Sequence, residues 1–332
     1  MTSSSQQPLV AVVIPVYNAR PYLREAVDSV LGQTYTNLDV IVIDDGSTDG
    51  SREVISDIRD PRLRVVTQPN AGKPAAMNRA LAMTNAEFYI VNDADDLSHP
   101  RRVERQLACM IAKPHLAGVF IGHELIVRGE RMAPQFRGKT EAECREDIEQ
   151  FRMPGHDPTP MYRMSAVRGL EFDPKLPVAE GLDYILRVGE KNPLLVLGEC
   201  LYSYRIHQAS ITKRARDLCN ACVWEVLRRA CARRGLSFEE RFGTECAQAD
   251  TRRMRNKDLD NNLAAHFIES VLDLRSQGRV LDAIKTGISC GKFHPTDPHY
   301  LKALAYAVLP KVVVARVRSR KHRPQTQAGN AR

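Results

Sequence analysis

Three aspartates fall within four positions, Asp93, Asp95 and Asp96, directly after the apolar run Phe88-Tyr89-Ile90-Val91. Such a run reads as a buried strand, and carboxylates at the carboxyl end of a strand in an α/β sheet face the crevice where ligands bind. Clustered acids repel one another unless a cation sits among them, so a hard divalent ion is the natural partner. A solvated acidic turn capping the next helix is the plainer alternative. Two other strand-end loops carry chemistry of their own. Pro15-Val16-Tyr17-Asn18 offers backbone groups and an aromatic ring, and Asp44-Asp45-Gly46-Ser47-Thr48-Asp49 offers carboxylates able to hydrogen-bond a base or a ribose. Lys73 and Arg79, near the end of a third strand, supply charge for phosphates. Together these are the parts of a nucleotide-diphosphate site that lacks a glycine-rich phosphate loop.

The usual phosphate-binding signatures are missing. No G-x-G-x-x-G follows the first strand, and no G-x-x-x-x-G-K-[ST] occurs anywhere, which argues against a dinucleotide fold and a P-loop enzyme. Asp45-Gly46-Ser47-Thr48-Asp49-Gly50 imitates the start of a calcium loop, but Ser56 stands where the bidentate Glu belongs.

The elements that must position these residues follow from periodicity. Leu9–Ile14, Val40–Ile43, Leu63–Thr67 and the Phe88 run read as strands of a sheet covered on both faces, with Pro15 closing the first. Helices are expected over Arg20–Leu31, over a short stretch around Ala75, Ala76, Asn78 and Leu81, and after Ser98 and Pro100, where Val103, Leu107, Met110 and Ile111 form one face. This alternation is that of an α/β layered domain with a mostly parallel sheet. A further strand is expected at Val119–Val127, a mobile connection or surface helix over Ala133–Gln150, a turn-rich loop at Pro154–Pro160, a helix within Leu176–Arg187 and one or two strands in Leu194–Tyr204. Beyond Ile211 the pattern turns helical.

The chain of 332 residues and formal charge +8 has the composition of an ordinary globular protein. The charge suits an anionic ligand or a membrane surface and does not by itself imply nucleic acid. No stretch approaches the ~20 apolar residues of a spanning helix, and Met1–Pro8 does not read as a secretory signal. The scattered cysteines favour a reduced, cytoplasmic setting. Cys219 and Cys222 have C-x-x-C spacing but lie within an apparent helix, Asp217–Arg234, with no second pair, so packing explains them better than zinc or redox chemistry.

Several motifs in register resemble those of family 2 glycosyltransferases. These are Val12-Val13-Ile14-Pro15-Val16-Tyr17-Asn18, Asp28-Ser29-Val30-Leu31-Gly32-Gln33-Thr34, Ile43-Asp44-Asp45-Gly46-Ser47-Thr48-Asp49, Asn70-x-Gly72-Lys73, Ala76-x-Asn78, Asp93-Ala94-Asp95-Asp96 and Tyr204-Arg205-x-His207. The resemblance covers about Leu9 to Ile211. It implies a Rossmann-like GT-A fold and inverting transfer of a sugar from a nucleotide diphosphate, a UDP-sugar, to a hydroxyl of a polysaccharide, lipopolysaccharide or other glycan, lipid-linked glycans included. It further implies that Pro15 and Tyr17 line the nucleotide pocket, with Asn18, Asp44, Lys73 and Asn78 nearby, and that Asp45 binds the base. Asp93 and Asp95 match the DxD pair. Asp95 is the expected ligand of Mn2+ or Mg2+, with Asp96 close behind, and Arg205 and His207 would contact the diphosphate or the metal. His156 and Asp157 fall in a loop resembling the acceptor side, where a purely structural role is the alternative.

Two positions depart from the family pattern. The stretch Glu180-Gly181-Leu182-Asp183 has glycine where the family carries its catalytic aspartate. The carboxylates at hand are Glu180 and Asp183, three apart on a helix and so sharing a face. Glu180 is favoured because it stands beside the usual position. Met77 replaces a frequent arginine, leaving its charge to Lys73, to Arg79 or to the metal.

The organisation expected is a glycosyltransferase domain over 8–212, a helical region over 213–318 and a basic, disordered tail over 319–332. Tyr300–Arg318 joins an apolar face, interrupted by Pro310, to basic residues. It reads either as a peripheral contact with the inner face of the plasma membrane or as an ordinary packing helix. Two rival functions are a nucleotide-sugar or glycan binding module that has lost its base, suggested by Gly181, and a metal-dependent phosphotransferase using Asp93 and Asp95. The second places its acidic pair after the first strand, which this chain does not.

Overall fold

The structure, a computed structural model, describes residues 7–127, 130–132, 136–206, 216–242, 271, 275, 280–293 and 298–309. Its centre is a sheet in the order β3-β2-β1-β4-β8-β6-β9-β5. The strands are β1 (Val10–Val16), β2 (Leu38–Asp44), β3 (Leu63–Thr67), β4 (Phe88–Val91), β5 (Leu97–Ser98), β6 (Gly118–Val127), β8 (Met161–Arg163) and β9 (Leu194–Ile206), with β7 (Glu130–Met132) paired to β6. Strands β3, β2, β1 and β4 run parallel, while β8 is antiparallel to both β4 and β6.

Alternation along β1 explains the layers. Val10, Val12, Ile14 and Val16 pack on the side of α1 (Leu23–Leu31) and α3 (Arg102–Ala112). Ala11 and Val13 pack on the side of α2 (Lys73–Ala82), α4 (Glu141–Glu149), the short α5 (Met164–Val167) and α6 (Glu180–Lys191). A strand buried on both faces needs the continuous apolar run seen here. Strand β1 does not stop at Pro15, as expected, but continues to Val16. The reason is geometric: Val13 is the last β1 residue paired with β4, so the N–H that proline lacks falls where β4 has ended.

Three other expectations are sharpened. The polar Ala133–Gln150 stretch holds a regular helix, α4, capped by Thr140 and Glu143 in a reciprocal capping box. Leu194–Ile206 is one strand, irregular in its register with β6 around Gly122. The first helix begins at Leu23, with Pro21 in the preceding turn.

Residues 1–251 form one compact unit and 252–332 a second. The change of composition near Lys213 lies outside the described residues. The helix that follows, Arg216–Arg233, buries Cys222, Val226, Ala230 and Cys231 in the core of the first unit. Cys222 therefore serves as a packing residue. The second unit includes the mutually packed helices Val280–Phe293 and Pro298–Val308. No helix among the described residues is long and apolar enough to cross a membrane.

Candidate active site

Parallel strands β1, β2 and β4 end along one edge of the sheet, and their loops meet there. The Asp45 N–H donates to Val16 O at 2.8 Å, and the Asn92 N–H donates to Val13 O at 2.9 Å. Asn18 adopts a left-handed φ of 54°, which asparagine tolerates better than most residues. It clips the first two loops together: its N–H donates to Ser47 Oγ at 3.0 Å and its Oδ1 accepts from Thr48 N at 2.8 Å. Asp44 is likewise a loop-shaping residue, accepting from Ser47 N at 3.0 Å. Tyr17, by contrast, is 54% exposed at the mouth of the crevice.

Asp45 is buried and strongly solvated by the protein itself. Its Oδ1 accepts from Gln68 Nε2 at 2.7 Å and from Ala71 N at 2.9 Å, and its Oδ2 accepts from Gly72 N at 2.8 Å. A carboxylate has about four acceptor positions, so one is left on Oδ2. Arg79, expected to meet phosphates, donates to Thr67 O and Gln68 Oε1, orienting the glutamine that holds Asp45. Asn78 is a clamp: its amide and the Phe172 backbone exchange two hydrogen bonds of 2.8 Å.

The acidic loop divides into inner and outer parts. Asp96 is fully buried, with Oδ2 accepting from Tyr202 Oη at 2.8 Å and Oδ1 from Arg205 N at 2.7 Å. It anchors the loop to β9 instead of facing the crevice with Asp93. Burial, then the charges of Asp95 and Asp93, pushes its carboxyl well above the usual range. Arg205 is also drawn elsewhere than expected: its guanidinium donates to Glu25 Oε2 at 2.7 Å and Asp95 O at 2.9 Å, and lies over the Tyr22 ring. His207 lies outside the described residues.

Opposite Asp93 stands a carboxylate cluster around one ammonium. Lys73, in the first turn of α2, has its Nζ 3.0 Å from Asp93 Oδ1, 3.3 Å from Glu180 Oε1 and 3.6 Å from Asp157 Oδ2. One positive charge thus faces three carboxylates over a floor of Met77, Tyr162, Phe172 and Tyr184. The floor is rigid: Phe172 stacks on Tyr184 with ring centroids 4.1 Å apart, and Tyr89 Oη donates to Tyr184 Oη at 2.8 Å. Burial raises the carboxyls of both Asp157 and Glu180, against the lowering pull of Lys73. The three negative charges in turn hold the Lys73 ammonium well above its ordinary value despite burial.

Glu180 and Asp183 do not share this cluster, although they share a helical face. Asp183 pairs with Arg187 at 2.7 Å and with Arg233, from the later helix, at 3.6 Å. Asp157, expected at the acceptor side, joins Glu180 instead, and nothing in the local sequence signals that meeting. His156 packs its ring against His123 and Tyr204, with centroids 4.7 Å and 4.8 Å away.

Among the described residues no three His, Cys, Asp or Glu side chains form a ready-made metal cage. A divalent ion bound mainly by substrate phosphates needs only one or two carboxylates. Asp93 and Asp95 supply them on the loop that follows β4, where Asp96 is buried against Tyr202. The residues present therefore fit such an ion.

Sheet order, flanking helices and crevice define a nucleotide-sugar transferase fold of the GT-A type. Residues 11–168 match the model of glycosyl transferase family 2, and this part of the chain is of that family. Among its relatives is the hyaluronan synthase of Pasteurella multocida, 27% identical over 244 residues, which are 70% of this chain and 24% of the synthase. The chain spans less than two thirds of the length of the curated relatives it matches. Residues 1–349 of S. aureus TarS, solved with UDP, share the fold at a TM-score of 0.54 and 17% identity, covering 96% of this chain and 94% of that one. The mannosyltransferase PcManGT of Pyrobaculum calidifontis, solved with GDP-Man and Mn2+, does so at 0.53 and 18%, covering 95% and 87%.

Proposed function

We propose that this chain transfers a hexosyl group from a UDP-sugar to a hydroxyl of a growing glycan, with inversion at the anomeric carbon. The observation that carries the reading is the meeting, at one sheet edge, of the Asp45 pocket, the Asp93–Asp95 loop and the Lys73 carboxylate cluster. The remaining acceptor position on Asp45 matches the imide N–H of uracil, and Tyr17 offers a ring for the base to lie on. Relatives named for hyaluronan synthesis and fold neighbours holding UDP or GDP-Man support the same class of donor.

Asp93 and Asp95 would hold Mn2+ or Mg2+. The ion, when bound with the diphosphate, supplies charge to offset what accumulates on the leaving group. Lys73, fixed by three carboxylates, keeps Asp93 and Glu180 in place on either side of the sugar position. An inverting displacement also needs a carboxylate to take the acceptor proton on the face opposite the leaving group. The cluster provides that carboxylate; Asp183, turned toward Arg187 and Arg233, does not.

Calorimetry tests the donor site. UDP should bind the wild-type chain in Mn2+ at least tenfold more tightly than in chelator, and Asp95→Asn should lose most of that gain. Unchanged metal-dependent affinity in the variant would remove Asp95 from the role. The basic segment after Pro310, together with exposed Leu281 and Val308, supports a peripheral membrane contact for a chain whose acceptor is lipid-linked.

A further inference from the structure

Gly181 and Asp157 compete for one space. A Cβ built on Gly181 would lie 1.9 Å from Asp157 Oδ1, 2.1 Å from its Cγ and 2.4 Å from its Oδ2. The Asp157 carboxylate therefore stands where the first atom of any side chain at 181 would be. Gly181 lies within α6 and is not among the positive-φ glycines, so its backbone has no need of glycine. Glycine inside a helix costs stability relative to alanine, and here space alone accounts for it.

The loop carrying Asp157 is held firmly. Arg102 Nη2 donates to Pro158 O at 2.7 Å and to Val91 O at 3.1 Å, tying this loop to the strand that leads into Asp93. Gln106 Nε2 donates to Thr159 O at 2.9 Å, and Thr159 N and Oγ1 both donate to His156 O. Of the three carboxylates around Lys73, that of Asp157 is the most distant from Nζ and, at 32% side-chain exposure against 9% for Glu180, the more accessible of the pair at the α6 end. A base must reach an incoming hydroxyl, which the deeper Glu180 does less well.

We propose that Asp157 is the general base, delivered from the loop before β8, and that Gly181 is the residue that makes room for it. This rests on the sugar-transfer reading above. As the acceptor oxygen bonds to the anomeric carbon, its proton passes to the Asp157 carboxylate. The bond from that carbon to the phosphate oxygen breaks, and its electron pair leaves with the nucleoside diphosphate. Asp157 then returns the proton to solvent. Glu180 acts as a positioning residue through Lys73.

The test compares wild type, Asp157→Asn and the exchange Asp157→Gly/Gly181→Asp, which moves the carboxylate from loop to helix. Turnover is read as UDP released from whichever of UDP-glucose, UDP-galactose and UDP-N-acetylglucosamine the wild type consumes fastest, with calorimetry of UDP and Mn2+ alongside. Asp157→Asn should keep UDP affinity within about threefold and lose about 10²–10⁴ in turnover, together with the acidic limb of the pH profile. The exchange should regain at least tenfold of that loss. Turnover of Asp157→Asn within tenfold of wild type overturns the base assignment, and an exchange no better than Asp157→Asn overturns the shared space. Absence of UDP binding by the wild type would instead remove the sugar-transfer reading on which the proposal stands.

Discussion

At the scale of single residues, the site is governed by how few positive charges serve many carboxylates. Lys73 is placed among Asp93, Glu180 and Asp157, and burial raises the last two. A base with a raised value must still be ionised to work, so turnover should fall as pH drops through a range above the ordinary carboxylate value of about 4. A pH profile of donor turnover checks this, and an acidic limb at or below the ordinary value would contradict it. Gly181→Ala forces a Cβ against Asp157, so it should cut turnover at least a hundredfold, while overpacking costs about 1–3 kcal/mol in unfolding stability. Individual residues were unevenly legible in the sequence. Asp45, Asp93 and Lys73 stand out in the sequence because each follows or opens a periodic element, but the gathering of carboxylates around Lys73 does not. The exchange between Gly181 and Asp157 is not legible there, since it joins a helix start to a loop before β8 through space alone. The partners of Asp96 are hidden for the same reason, because Tyr202 and the Arg205 backbone lie on a distant strand.

At the scale of elements, two clamps set the crevice. Asn78 fastens α2 to the Phe172 segment, and Asn78→Ala, which breaks both hydrogen bonds to that backbone, should lower unfolding stability by about 2 kcal/mol in denaturant titration. Arg102 fastens α3 to the ends of two segments; burial, with no carboxylate touching it, lowers its guanidinium to about 10. Arg102→Lys cannot reach Val91 O and Pro158 O from one planar group, so it should reduce turnover more than UDP affinity. Thr140→Ala is the contrasting case. It removes the cap of α4, far from this cluster in sequence, and should cost about 1 kcal/mol with turnover unchanged. Strand and helix identities followed from periodicity, whereas the common face of Glu180 and Asp183 proved uninformative. Arg233, from a helix later in the chain, pairs with Asp183 from outside the cluster, and Lys73 pairs with Glu180 within it.

At the scale of the whole molecule, every residue of the candidate site lies in the first unit. The helix Arg216–Arg233 is polar on average yet buries an apolar strip in the first unit's core, a packing that composition does not reveal. A peripheral membrane role predicts that the full chain sediments with phosphatidylglycerol vesicles, less with phosphatidylcholine, and less as salt is raised. Equal sedimentation with both lipids would contradict it. The reaction proposed for this site is displacement of a nucleotide diphosphate from a sugar by an acceptor hydroxyl. Proton NMR of the product formed from an α-linked UDP-sugar in Mn2+ tests it most directly. A β-configured product with release of UDP is the expected result, and a product that keeps the α configuration would rule out this displacement.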